Sequence, residues 1–492
     1  MKRKGLQKPP RRRPGKTQRV GETGLLPFDV EVEPQAETLT ARAGLTLVQE
    51  TMQALELDRA VDEALHIRER KSGYSEAELV TAIVLLRAAG GDCLDDIRLL
   101  AADEGLCRLL GRTLPSADTL RHFLAAFHDD ALIDSAKARR AVGQEAFIPD
   151  ESAPLGGLAK VNTHVVHRVN ALRPTTRATL DHDATIQQSH KREALPHYKG
   201  GRGYQPTSIY WQEQDLVVGD EYRDGNVPAG MENLRLAQRA FAALPESVTE
   251  RYYRADSACY DAALLKWLAD EQRPDGPQGP IGFSISADMT PELREVCAAV
   301  PDEQWTLIDD RPTETVHAAD ACFTPGHWPK TAAPLRYVAL RIRKKQPDLF
   351  DSRRALRYLA VVTNRWQLSA ADLVSWHWEK AGTIEIVHDV TKNELGAAVP
   401  PCGRFGANAA WYRLCNLTYN VLSALKAFAL PPSFATARPK RLRFAVFTLA
   451  GRISTHARRV VLRIARRLEE VAGFIAARAR LAALLRPLPA EP

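Results

Sequence analysis

The feature that most constrains this chain is the order in which its apolar periodicity changes between residues 179 and 285. Residues 179–185 alternate as a strand does, which puts Asp181 and Asp183 on one face; either can be a ligand. Two further strand-like runs, 207–211 and 216–221, are joined by the short polar link 212–215, as expected of antiparallel neighbours. Helical spacing over 233–244 leads to a fourth strand at 251–255 with Asp256 at its end. Helical spacing returns over 260–272, and a fifth strand is expected at 281–285. The order is three strands, helix, strand, helix, strand.

A third acid sits in a different setting. Ile384, Val387 and the run 390–395 read as a helix, on which Glu385, Asp389 and Lys392 share a face. Three carboxylates that converge bind divalent metal ions. Taken singly each has a plainer explanation, because an Asp at a strand end commonly caps a turn.

The element order resembles the ribonuclease H-like fold, whose first and fourth strands lie side by side and carry two acids, with a third on a helix laid against the sheet. Glu385 and Lys392 match the second half of a Tyr-x2-Arg-x3-Glu-x6-Lys motif. Trp378 stands at its Tyr position, and Ala381, with Lys380 beside it, at its Arg position. Lys199-Gly200-Gly201-Arg202-Gly203-Tyr204-Gln205-Pro206 and Arg223-Asp224-Gly225-Asn226 add to the match. From about residue 35 to 430 the chain resembles DDE transposases of bacterial insertion sequences, of the thirteen-eighty type with a group 1 transposase DDE domain.

The resemblance implies catalytic and metal-binding roles for Asp183, Asp256 and Glu385, with Asp181 as the alternative first ligand. Two Mg²⁺ ions roughly 4 Å apart, for which Mn²⁺ substitutes, activate water and stabilise the departing 3′-oxygen. Mg²⁺ prefers oxygen ligands. The same site then joins the freed 3′-hydroxyl to target DNA. Lys392, Lys380 and Arg202 are candidate DNA contacts. The implied partners are double-stranded DNA, at the transposon ends and the target, and a second copy of the chain in a paired-end complex.

Composition agrees with a DNA partner. The chain has 67 basic and 60 acidic residues, a net +7, with the positive charge gathered at its ends. Residues 1–37 read as a basic disordered arm. Residues 38–145 read as helices at 44–57, 75–89, 94–101 and 116–126, with Ser116 as an N-cap and Arg121 on a positive face toward the transposon end. Residues 175–286 and 371–430 form the expected α/β catalytic core, interrupted at 287–370 by a β-rich insertion with Trp305, Trp328 and Trp366 as stacking candidates. Residues 431–492 read as a basic helical tail in which Arg459, Arg463 and Arg466 contact the DNA backbone.

Seven scattered cysteines without a Cys-x2-Cys pair fit reduced thiols, and no apolar stretch is long enough to span a membrane. The expected location is a bacterial cytoplasm, at the nucleoid. The expected function is Mg²⁺-dependent cleavage of the element's terminal inverted repeats and strand transfer. Two alternatives are an end-binding protein that does not cut and another ribonuclease H-like nuclease.

Overall fold

The computed structural model describes residues 38–67, 73–326, 328–329, 332–346, 356–456 and 459–485, with the backbone of 18–19 and 31–32. Most of the expected basic arm therefore lies outside the described residues; Gln18–Arg19 and Glu31–Val32 form an antiparallel pair.

The centre is a nine-stranded mixed sheet among the described residues. Its strands are β1 (Arg177–Ala184), β2 (Thr207–Trp211), β3 (Leu216–Glu221), β4 (Glu250–Ala255), β5 (Ile281–Ser286), β6 (Thr306–Asp310), β7 (Glu314–Ala321), β8 (Arg336–Lys344) and β9 (Leu356–Thr363). The spatial order is β6-β7-β8-β9-β5-β4-β1-β2-β3. Strands β1, β4 and β5 are parallel, with β2 and β3 antiparallel beyond β1. The first and fourth strands are thus neighbours, as the element order led us to expect. Residues 287–370 do not stand apart from this sheet: β9 pairs antiparallel with β5, and β8, β7 and β6 continue outward.

Helices precede the sheet: α1 (Thr46–Ala54), α2 (Leu57–Ala64), α3 (Glu76–Ala89), α4 (Ile97–Ala101), α5 (Glu104–Leu110), α6 (Ala117–Ala125), α7 (Asp130–Arg139) and α8 (Ala153–Leu172). The helix expected over 44–57 is split, because Glu56 adopts a left-handed conformation (φ 54°) between α1 and α2. Ser116 caps α6 as expected, accepting the N–H of Thr119 at 3.2 Å.

Within and after the sheet come α9 (Asn233–Ala242), α10 (Ala262–Ala269), α11 (Pro291–Ala298), α12 (Ala370–Trp378), α13 (Ile384–Glu394), α14 (Phe405–Phe428), α15 (Pro439–Leu442) and α16 (Leu468–Leu484). Adjacent residues of β3 show how the layers stack. A Cβ added at Gly219 would sit 3.3 Å from Ala240 of α9, whereas Asp220 pairs with Arg413 of α14. The sheet is therefore sandwiched between helices. Helix α14 is buried from Gly406 to Leu425. Arg87 of α3 lies 3.7 Å over the Trp411 ring and donates to the Trp411 carbonyl, so the N-terminal helices pack directly on this spine.

The expected basic helix through Arg459 and Arg463 is corrected. Gly451–His456 and Arg459–Arg463 form an antiparallel hairpin, here β10 and β11, and β10 also pairs with Leu39–Thr40. Ile453, Thr455, Val460 and Val461 are β-branched, which favours a pleated conformation over a helical turn. Arg466 follows the hairpin outside any helix, and α16 begins only at Leu468.

Candidate functional site

After the parallel neighbours β1 and β4 the chain continues to opposite sides of the sheet, from β1 to β2 and from β4 to β5. Such a switch of direction opens a crevice at the strand ends. Ala255 is in register with His182, so Asp256, one residue past the last pair of β4, falls beside Asp183 near the end of β1. Burial pushes the Asp256 carboxyl up, Lys380 opposes that, and the Asp183 charge adds to it. Lys380 is buried and its Nζ stands 3.6 Å from Asp183 Oδ1. The plainer reading of Asp256 also holds, because its Oδ1 accepts the N–H of Ala258 at 3.1 Å and caps the following turn.

Helix α13 packs against β1. His388, buried on its inner face, brings Nε2 to 3.9 Å from Asp183 Oδ2. Burial, then the charges of Lys392 and Lys380, lower its pKa to about 3, so the ring is neutral. Both ring nitrogens are buried without a hydrogen-bond partner among the described residues. Glu385 lies one turn earlier, exposed in the first turn of α13, with no ion pair among the described residues. The fold therefore joins Asp183, Asp256 and Lys380, and carries Glu385 on the helix whose His388 reaches Asp183. Lys392 is half-buried two turns on; burial lowers its pKa, and it feels Asp389, Lys199 and Asp183.

Asp181 occupies a different environment from Asp183. It is fully buried and held by Arg254, with Nε to Oδ1 at 2.7 Å and Nη2 to Oδ2 at 3.0 Å. Three donors already engage it, two from this fork and one from the Thr383 hydroxyl.

The other basic candidates separate by their partners. Arg202 is tied to the carbonyls of Ala194 (2.7 Å) and Arg192 (2.6 Å), bracing the loop after β1. Arg121 is paired with Asp118 and Asp95. Arg459, Arg463 and Arg466 are exposed and have no acidic partner among the described residues. Trp305 and Trp328 are buried and donate to the carbonyls of Val300 and Ala333, while Trp366 is 58% exposed.

Sequence reasoning missed Arg254, Thr383 and the placement of His388. A charged residue between Tyr253 and Ala255, just before the strand-end acid, was the available signal for Arg254, and the spacing of three from Glu385 was the signal for His388. Asp92, Cys93 and Asp96 do bring ligand atoms within 4.8 Å of one another. Asp96 Oδ2, however, accepts the N–H groups of Asp92 and Cys93, so this group closes its own turn.

No helix among the described residues is long and apolar enough to cross a membrane. No curated protein matches the chain. A solved structure to which it is similar, the cryo-EM structure of a piggyBac transposase synaptic complex with hairpin DNA, shares 11% identity at a TM-score of 0.42, over 93% of this chain and 90% of that one. The family described as transposase DDE domain group 1 matches residues 27–486, and the chain belongs to that family.

Proposed function

We propose that this transposase binds the terminal inverted repeats of a bacterial insertion sequence, cleaves the DNA ends and joins them to target DNA. The reading rests on one observation above all: Asp183 and Asp256 lie side by side at the ends of adjacent parallel strands, and the helix that carries Glu385 reaches Asp183 through His388. Their donor set suits a hard divalent cation, since the groups offered are carboxylate oxygens and the one buried ammonium, Lys380, offsets only part of their charge. In this reading Asp183, Asp256 and Glu385 hold two Mg²⁺ ions, or Mn²⁺ in their place; Asp181, neutralised by Arg254, does not take part. Bound there, the ions supply a nucleophile and stabilise the leaving oxygen.

The chain's own groups orient the DNA. Lys392 and Lys380 steady the phosphate at the cut, and the exposed arginines of β11 together with Arg466 hold the duplex backbone without reading its sequence. A paired-end complex requires two copies, and the protein works at the bacterial nucleoid. The test is incubation with labelled DNA carrying the element's ends, with Mg²⁺ or EDTA, resolved on a denaturing gel. Metal-dependent cuts at the element boundary that vanish in Asp256→Asn support the reading. Binding without cutting in any divalent metal overturns it in favour of an end-binding protein.

A further inference from the structure

Asp181, Arg254 and Thr383 each stand two residues before one of the three proposed ligands, Asp183, Asp256 and Glu385. All three meet in one network, fully buried at Asp181 and Arg254. Arg254 grips Asp181 with both arms of its guanidinium, and the Thr383 hydroxyl donates to the same Oδ2 of Asp181. Arg254 also donates to Glu379 Oε2 (2.8 Å), the Trp376 carbonyl (2.6 Å) and Gln212 Oε1 (2.7 Å). The side chains of Arg254 and Asp181 are both 0% exposed.

On a strand a two-residue offset keeps the same face. The network therefore lies one step beneath the carboxylates at the strand ends. Trp376, Glu379 and Thr383 belong to the segment that returns after residues 287–370, so Arg254 binds partners up to 125 residues away in the chain. Thr383 immediately precedes α13 and touches Asp181 across 202 residues. A planar guanidinium with donors in a fixed fork satisfies such a set in one geometry, which a flexible ammonium does not.

We propose that Arg254 is a positioning residue: its guanidinium fixes how far the helix bearing Glu385 stands from Asp183 and Asp256, and thereby sets the affinity of the site for a divalent ion. This rests on the assignment of those three acids as ligands. Groups that orient metal ligands typically contribute 10–100-fold in metal affinity.

The test is Mn²⁺ binding to the full-length protein, followed by electron paramagnetic resonance, with thermal unfolding of each variant recorded alongside. Arg254→Lys and Thr383→Val are each expected to weaken Mn²⁺ binding about tenfold while remaining folded. Asp256→Asn is expected to abolish it. If Asp256→Asn loses the ion while Arg254→Lys and Thr383→Val bind as wild type does, the positioning role is overturned and the ligand assignment stands. If wild type and Asp256→Asn bind Mn²⁺ alike, the assignment fails and the positioning role with it. Should Arg254→Lys not fold, Thr383→Val, which removes a single hydroxyl, decides alone.

Discussion

Asp181 and Asp183 are the same residue type, two positions apart on one face of one strand, yet they belong to two regions with opposite chemistry. Beneath the surface, Asp181 is enclosed by Arg254 and Thr383, and the two fully buried charges, Asp181 and Arg254, face each other directly. At the strand tip, Asp183 and Asp256 face each other with a single buried ammonium, Lys380, against them. The difference teaches that a carboxylate becomes available to an external cation where the fold leaves negative charge in excess. A carboxylate matched by a rigid guanidinium becomes part of the frame instead.

The sharpest way to break this contrast is to neutralise each acid in turn. Asp183→Asn is expected to reduce DNA cleavage to the level seen with EDTA while leaving the unfolding midpoint unchanged or higher, because it removes a repulsion on Asp256. Asp181→Asn is expected to do the reverse: a clear loss of stability, with cleavage that recovers as Mg²⁺ is raised. Single-turnover cleavage across a Mg²⁺ titration, paired with urea unfolding, checks both. Normal cleavage by Asp183→Asn with none by Asp181→Asn at any Mg²⁺ would exchange the two roles.

The frame itself is tested through its cation. Arg254→Met leaves Asp181 buried and unpaired and is expected to destabilise the protein by about 3–5 kcal/mol. The double variant Arg254→Met with Asp181→Leu is expected to regain most of that, since two apolar groups need no counter-charge. Urea midpoints of the two variants decide; a double variant no more stable than the single one would show that Glu379 and Gln212, not Asp181, dominate the arginine's energetics.

Much of the sheet could be read from the chain because its signals are local. The strands at 207–211 and 216–221 occur at the expected residues: Pro206 precedes the first, and Asp215, in a left-handed conformation at φ 57°, turns the chain before the second. Asp183 and Asp256 were recognisable as strand-end acids for the same reason. Helix α14 was not singled out, because a helix buried on all sides has no polar face to mark its period. Over five residues the run Arg-Val-Val-Leu-Arg fits a helix or a strand equally, so the hairpin at Arg459–Arg463 is not legible locally. Nothing local could join Asp181 to Arg254 and Thr383, which are 73 and 202 residues away.

The same contrast between matched and unmatched charge can be sharpened with pH. Glu151 is pulled down to about 2: burial opposes the ionised form, but Arg413 and Arg239 outweigh it. A depressed carboxylate contributes stability above its unfolded value of about 4.5, and that contribution is lost as pH falls toward 2. Glu151→Gln is therefore expected to cost on the order of 2 kcal/mol at pH 7, discounted for partial exposure, and to differ little from wild type near pH 2. Thermal or urea unfolding of both proteins across pH 2–7 checks this. A constant difference at all pH values would assign the effect to lost packing.

The smallest expected effects concern the arginines at the surface, where the rule takes its opposite sign. Arg121 lies between Asp118 and Asp95, and a phosphate would have to compete with both. Arg459 and Arg463, with no acidic partner among the described residues, are open to a phosphate and release one counterion for each contact made. Replacing either by Ala is expected to flatten the plot of log affinity against log salt by about 0.9 per arginine, evenly across DNA sequences. Arg121→Ala is expected to leave the slope unchanged. Fluorescence anisotropy of labelled duplexes between low and high salt measures it. If Arg121→Ala flattens the slope and Arg459→Ala does not, pairing within the protein fails to predict which cations meet DNA, and the helical region, rather than the hairpin, holds the backbone.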